Sequence, residues 1–352
     1  MPCLLKLLAS AMLAVTASLA LAAGQPASIR IGSPDQSAGN KPFIAGPLGL
    51  AHIHQQLEQA FAADGVKIEW HFFKGAGPAV NEAFANRQLD IAYLGDLAAI
   101  IGRASGLETR VLLGSRGANM YLAATPESSI EGLEDLKGKR ISVYRGTADQ
   151  LSFARVLASA GLKERDLRIV SLDWSAARAA LAARQIDAAW SGMGILALEA
   201  QGIEFPFGTK QLPVTSTTQG ALLASADFIQ RYPQATQKLV DILVGNAAWI
   251  SDARNQDEYI DLLASQSSIP AALFTREFQG DDLVLRNSPR LDDFLRASFQ
   301  DSGEQARALG LTRRPVEIDA WFEPSFVENA IVRQGLQLLW PRYDHDGEPA
   351  TD

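Results

Sequence analysis

The chain has 352 residues and a formal net charge of −8, with 32 Lys and Arg against 40 Asp and Glu. That balance excludes a nucleic-acid binder relying on a broadly basic surface, although a cleft can be locally positive on an acidic protein. Hydrophobic residues at 47% and charged residues at 20% are the ordinary mix of a globular α/β protein, and the length exceeds what one core supports, so two lobes are expected.

The first segment sets the compartment. A short, weakly positive lead ends at Lys6, an apolar run follows over 7–21, and Ala20-Leu21-Ala22 offers a small-x-small cleavage site. This pattern predicts a secretory signal peptide over 1–23 and a periplasmic location; the run is short for a membrane span. The single cysteine, Cys3, precedes the apolar run, so lipidation after cleavage has no acceptor. A chain processed at that site has no thiol for a disulfide, a nucleophile or a thiolate metal site.

Further on, strands alternate with helices. A short strand at 29–31 leads to the loop containing Ser33, Asp35 and Gln36, and 47–63 repeats apolar residues at helical spacing until Asp64-Gly65. Strand 66–73, helix 78–87, strand 91–94, helix 97–104 and strand 110–113 complete a first series. The second series reads strand 120–124, short helix 132–136, strand 141–144, helix 148–160, strand 167–172, helix 176–183 and strand 188–190. A strand at 220–225 follows, the chain is largely helical from Pro233, and a last helix is expected over 325–339. This alternation predicts an α/β fold with mostly parallel sheets. Crossings near 115–119 and 206–218 divide it into a discontinuous first lobe (27–115 with 216–342), a second lobe (118–208) and a polar tail (343–352).

In open parallel sheets, ligands bind beyond the carboxyl ends of the strands, where helices begin. Several such junctions are glycine-rich here: Lys74-Gly75-Ala76-Gly77 before Pro78, Gly95-Asp96, Arg145-Gly146-Thr147-Ala148, and Trp190-Ser191-Gly192-Met193. Glycine admits close backbone approach, and a helix start presents free N–H groups with partial positive charge. Joined in one crevice, with Lys74, Arg116 or Arg145 adding a full charge, they would hold a small anion. Asp96 reads as an N-cap, and Thr147 with Gln150 has capping-box spacing.

Other constellations fail. The stretch Gly132 to Arg140 has its glycines wrongly spaced for a phosphate loop, and Arg140 stands where a hydroxyl should be. His52 and His54 lie on different faces of a helix, so they cannot share a metal as an i,i+4 pair could. No G-x-S-x-G elbow occurs. Neither a cofactor nor a metal is expected, and no catalytic constellation.

The same junctions resemble the nitrate/sulfonate/taurine family of transporter-associated binding proteins. The likeness rests on Lys74 to Pro78 with Leu89-Asp90-Ile91-Ala92, on Asp135-Leu136-Lys137-Gly138-Lys139, on Arg145-Gly146-Thr147 through Ala160-Gly161-Leu162, on Ala176 to Leu181 with Ile186 to Trp190, and on Ala330-Ile331 through Trp340-Pro341. It implies a type II-like periplasmic binding protein, a monomer of two lobes that close on a small anion by a two-segment hinge. It also implies an ABC permease and its ATPase as partners. Carried over by position, the ligand contacts are Ser33, Asp35, Gln36, Lys74, Gly75, Ala76, Gly77, Gly95, Asp96, Ser115, Arg116, Arg145, Gly146, Thr147, Ala148, Trp190, Ser191, Gly192 and Met193. Sulfonate binders often have Trp-Asp-Pro where this chain has Gly192-Met193-Gly194; the ligand expected is a sulfonate, taurine or a sulfate ester, with nitrate, a phosphonate or a thiamine precursor as the alternatives. An enzyme on the same fold, related to pyrimidine- or menaquinone-pathway proteins, and a periplasmic sensor partner are the alternatives from other classes.

Overall fold

The computed structural model describes residues 24–37 and 41–350; the expected signal peptide lies outside the described residues. Among the described residues, ten strands form two five-stranded sheets: β1 (Ser28–Pro34), β2 (Lys67–Phe73), β3 (Ile91–Gly95), β4 (Thr109–Ala118), β5 (Met120–Ala124), β6 (Arg140–Ser142), β7 (Arg168–Val170), β8 (Ala188–Gly192), β9 (Glu204–Gly208) and β10 (Thr218–Ser225). The first sheet has the order β2-β1-β3-β10-β4 and the second β7-β6-β8-β5-β9.

Each sheet is parallel except for one strand. β1 pairs in parallel with β2 and β3, and β6 with β7 and β8, whereas β10 runs antiparallel to β3 and β4 and β5 to β8 and β9. The reversed strand is in both cases the first one after the chain crosses between the sheets. It starts at the cleft where its neighbours end, so it must run against them. β9 was not legible in the sequence because Pro206 interrupts it; at the edge of the second sheet a missing N–H costs no ladder bond.

The expected helix over 47–63 is two helices, α1 (Gly46–Ile53) and α2 (Gln56–Ala62), parted where Gln55 takes a left-handed φ of 52°. Gly49 permits this entry: a Cβ there would stand 1.9 Å from the Ile44 carbonyl oxygen. The remaining helices are α3 (Ala76–Ala85), α4 (Asp96–Ala104), α5 (Ala148–Ser159), α6 (Trp174–Ala182), α7 (Ala226–Arg231), α8 (Pro233–Ser251), α9 (Gln256–Ser267), α10 (Ala271–Phe278), α11 (Leu283–Asn287), α12 (Asp293–Ala308), α13 (Ile318–Trp321) and α14 (Ser325–Arg333). The last helix stops short of 339, closed by Gln334 and by Gly335 at positive φ. The 343–350 segment is no loose tail: Tyr343 is buried and bridged to Pro349.

The first core packs helices on both faces of the first sheet, and a smaller pair of cores does the same for the second. Trp190 belongs to the second: it is 2% exposed, between Phe153 and Phe207, so it stiffens the sheet and does not face the cleft. Helix α10 bridges the lobes, with Leu273 against the second-sheet core and Phe274 inside a separate cluster with Phe43, Leu50, Tyr259 and Leu263. The crossing residue Asn119 is buried and pinned: its N–H donates to Glu277 Oε1 (3.1 Å), its Nδ2 to Asp281 Oδ2 (3.0 Å), and its Oδ1 accepts from Thr209 Oγ1 (3.1 Å).

Candidate functional site

A cavity of about 300 Å³ lies between the lobes. Helix α6 supplies one wall. Asp173 caps it by accepting from the Ala176 N–H at 2.8 Å, and Trp174 and Arg178, four residues apart, share the face that looks into the cavity. Trp174 Nε1 donates to Asp149 Oδ2 at 2.8 Å, which fixes the indole at the mouth of α5. Arg178 is half-buried, and among the described residues its guanidinium makes no hydrogen bond and no ion pair. Burial lowers its pKa from the usual arginine value, opposed by the nearby charge of Asp173.

The other arginines of the cavity wall are neutralised within the protein. Arg116 is fully buried, with Nη1 3.1 Å from both oxygens of Asp292 and Nη2 donating to the Arg290 carbonyl at 2.6 Å. Arg286 pairs with Glu277 at 2.6 Å and with Asp281, and lies over the Phe278 ring. Two neutral phenols complete the polar lining. The Tyr93 hydroxyl meets Ser115 Oγ at 3.2 Å, and the Tyr259 hydroxyl accepts from the Gly46 N–H at 2.8 Å. Burial raises the Tyr93 pKa and pushes Tyr259 up to about 12. Among the described residues, Asp149 is the acid of this lining without an internal cation; burial pushes it up to about 6, opposed by the bond from Trp174.

Of the residues expected from sequence, Gln36, Ser115, Arg116, Ser191, Gly192 and Met193 line this cavity. Ser33 and Asp35 are buried, are not part of its lining, and brace the loop: Ser33 Oγ donates to the Pro34 carbonyl, and Asp35 accepts from the N–H groups of Ser37 and Phe43. Gln36 ties the same loop down through Ala45.

The remaining junction residues form a second, closed part of the interlobe surface. A Cβ on Gly77 would be 3.6 Å from the Gly146 carbonyl oxygen, one on Gly146 would be 3.2 Å from Pro78, and one on Gly95 would be 2.8 Å from the Ala148 Cβ. The glycines let backbone meet backbone, leaving no room for a ligand there. Ala76 is buried in that contact, while Lys74 and Gly75 are exposed on its rim. Arg145 is exposed and pairs with Glu164 at 3.4 Å. Asp96 is the first residue of α4, not its cap, and it provides the anion that this helix start was expected to draw from outside. Its Oδ1 accepts the Leu97 N–H at 2.7 Å and its Oδ2 faces Ser302 Oγ (2.8 Å) and Arg155 Nη2 (3.4 Å). Burial nonetheless raises its pKa, opposed chiefly by Arg155. Arg155 comes from α5 of the second lobe and also reaches Asp301 at 2.9 Å, so this is an interlobe ion cluster. The capping box of α5 is shifted too: Gln150 accepts from the Gly146 N–H, and Thr147 donates to the Tyr144 carbonyl.

Sequence reasoning missed Arg178, Trp174, Asp149, Tyr93 and Tyr259. A signal existed for the first two: they sit four apart in a helix that opens directly after a strand, where cleft residues are to be sought.

Comparisons with known proteins agree with this architecture. A family model described as NMT1/THI5 like matches residues 61–252. A Bacillus subtilis (strain 168) protein with the name "Putative aliphatic sulfonates-binding protein" is 25% identical over 298 residues, covering 81% of this chain and 85% of its own. Its namesake from Escherichia coli (strain K12) is 31% identical over 189 residues, 53% of this chain and 55% of the relative. Among solved structures, the periplasmic sulfonate-binding protein SsuA from Methylobacillus flagellatus KT superposes with a TM-score of 0.79 at 29% identity, covering 90% of this chain and 97% of that one. The alkanesulfonate-binding protein SsuA from Xanthomonas axonopodis pv. citri, bound to MOPS, gives 0.70 at 26%, with 85% and 99% covered. The desulfurization enzyme DSZB, at 0.66 and 17% identity, shares the fold alone.

Proposed function

Because the chain belongs to the NMT1/THI5-like family, we propose that it is the solute-binding component of an ABC importer, exported to the periplasm, which holds a small organic anion of the sulfonate type between its lobes. The observation that carries this reading is Arg178, a half-buried cation facing the interlobe cavity without a carboxylate of its own. Taking a guanidinium out of water is unfavourable unless an anion replaces the lost solvent. A planar fork of N–H donors suits a sulfonate, whose oxygens can accept side by side.

Arg178, Trp174, Ser191, Gly192 and Met193 come from the second lobe, and Gln36, Ser115, Tyr93 and Tyr259 from the first. A ligand touching both sets stabilises the closed arrangement by the difference in its contacts between closed and open forms, and by no more than that. The lobes 27–115 with 216–342 and 118–208 would move about the crossings at Asn119 and at 209–217, and a permease with its ATPase would read the closed form. The names of the sulfonate-binding relatives support the ligand class and the transport role. No helix among the described residues is long and apolar enough to cross a membrane.

Thermal unfolding of the secreted protein against sulfonates, sulfate esters, nitrate, phosphonates and pyrimidines tests the reading. A ligand at about 100 times its Kd stabilises by roughly 2.7 kcal/mol. Arg178→Met should abolish the shift, weakening binding on the order of 100-fold, while leaving the unliganded Tm unchanged or higher because a desolvated charge is gone. Response only to uncharged compounds, or a ligand shift that survives Arg178→Met, would sink the proposal; chemical conversion of the ligand would favour an enzyme instead.

A further inference from the structure

Resting on that reading, we infer that the ligand is a singly charged anion with a bulky, ring-sized apolar body, whose charge meets Arg178 and whose body lies on the wall made by α8 to α11. Three observations lead there.

The first is charge. Among the described residues the cavity wall holds three arginines: Arg116 pairs with Asp292, and Arg286 with Glu277 and Asp281, the last also held by Lys210 at 2.8 Å, so Arg178 is the one cation of the wall with no ion-pair partner, Asp173 acting on it only from farther off. Asp149 adds an acid to the same lining. A second negative charge on the ligand would enter a desolvated space with no cation to meet it and a carboxylate to repel it. Sulfonates and sulfate monoesters carry one charge at neutral pH; phosphate monoesters and phosphonates approach two.

The second is size and lining. A cavity of about 300 Å³ has room on the order of ten waters, and stands at the lower end of the range for drug-sized ligands. Phe43, Met193, Leu243, Ile269, Phe274 and Phe278 line it. Methanesulfonate or taurine would leave most of that apolar surface against water, forfeiting the burial that an aromatic or long alkyl body gains.

The third is juxtaposition at Gly194. A Cβ on this residue would lie 3.6 Å from Arg178 Nη1 and 4.0 Å from Ile269 Cδ1, at ordinary contact distance from both. The cation and the apolar wall thus begin at the same spot, separated only by a missing side chain. Met193, one residue earlier, packs against both the second-sheet core and the cluster of the C-terminal helices. One molecule can therefore span charge and wall, and Gly194 keeps the passage between them open.

Titration calorimetry of the unliganded protein with methanesulfonate, taurine, hexanesulfonate, benzenesulfonate, naphthalene-2-sulfonate and phenyl phosphate tests the inference. The arenesulfonates and hexanesulfonate should bind at least about tenfold tighter than methanesulfonate and taurine, and phenyl phosphate at least about tenfold more weakly than benzenesulfonate. Gly194→Val should weaken naphthalene-2-sulfonate about tenfold or more and methanesulfonate by less than about threefold. Tightest binding of methanesulfonate or taurine would overturn the apolar body while leaving anion binding intact. Phenyl phosphate equal to benzenesulfonate would overturn the single charge. Equal losses for both sulfonates in Gly194→Val would mean that the valine displaces Arg178 and would overturn the placement of the body. If none of these anions binds, the anion-binding reading itself falls.

Discussion

Two parts of the surface between the lobes are made from the same units, a strand end followed by a helix start, yet one is shut and the other holds a cavity. Where α3 and α4 meet α5, glycine and alanine bring the backbones together, and the protein fills the helix start with its own carboxylate, Asp96, matched by Arg155 from the opposite lobe. Where α6 faces α9 to α11, large side chains stand off from one another and Arg178 has no ion-pair partner among the described residues. The lesson is that glycine at a helix start marks close approach, and that what approaches can be another part of the chain. An unmatched cation beside a cavity is the better sign of a ligand, because a protein rarely leaves one desolvated without use.

The contrast can be broken most severely at Asp96. Asp96→Ala leaves Arg155 in a largely buried place with only the half-exposed Asp301 and Ser302, and loss of one member of a buried pair costs on the order of 3–5 kcal/mol. Thermal denaturation should show a clear drop in Tm, and Asp96→Asn a smaller one, since the amide oxygen still accepts from Ser302. An unchanged Tm in Asp96→Ala would show that the closed part of the interface does not depend on this cluster.

A smaller effect, of opposite sign, is expected at Asp149. Its folded pKa stands at about 6 against the ordinary aspartate value of 3.8, so the folded protein holds this proton more tightly than the unfolded chain. Stability from this group is therefore greatest below about pH 4 and is lost as pH rises through about 6; the interval corresponds to roughly 3 kcal/mol at most. Asp149→Asn should raise the Tm at about pH 7 relative to the native protein and leave it nearly equal at about pH 4. A Tm difference independent of pH would assign the effect to the Trp174 bond instead.

The mildest change is Gly95→Ala. Its backbone, at φ −66°, accepts alanine without strain, but the new Cβ would press on the Ala148 Cβ at 2.8 Å across the lobes. The unliganded Tm should fall by about one or two degrees, far less than in Asp96→Ala, and ligand affinity should fall about tenfold, because both the empty shut form and ligand closure need the lobes to meet at this contact. Calorimetry with the best-binding sulfonate decides this; unchanged affinity would uncouple the shut surface from closure.

Most of the sheet plan could be read from the sequence because apolar runs and glycine punctuation repeat in order, from Ile29 to Trp190. The break between α1 and α2 could not, since nothing in His54-Gln55-Gln56 announces a left-handed residue. At the site, sequence named the loops that end strands, and six of those residues do line the cavity. It named Arg116, near the end of β4, and passed over Arg178, in the middle of α6, because which arginine is already paired cannot be read from position along an element. What distinguishes them is Asp292, 176 residues from Arg116 along the chain, and pairing at that distance has no local signature. The apolar wall from Ile269 to Phe278 was equally hidden, because it comes from a helical region that reads in sequence as ordinary amphipathic helix.

Helix α10 and the crossing residue beneath it bear on how the protein would let go of what it holds. Glu277, 3% exposed, accepts from Tyr121 and Asn119 on one side and pairs with Arg286 on the other, and Lys210 holds Asp281 beside it at 2.8 Å. Parting the lobes deprives that carboxylate of one partner or the other, whichever way α10 goes. If the lobes part as proposed, the pivot would act as a torsion spring wound toward the shut position, its stiffness set by a buried acid. Such a spring would limit the swing and return the emptied protein toward closure, so unloading would need an outside force that holds the two lobes apart.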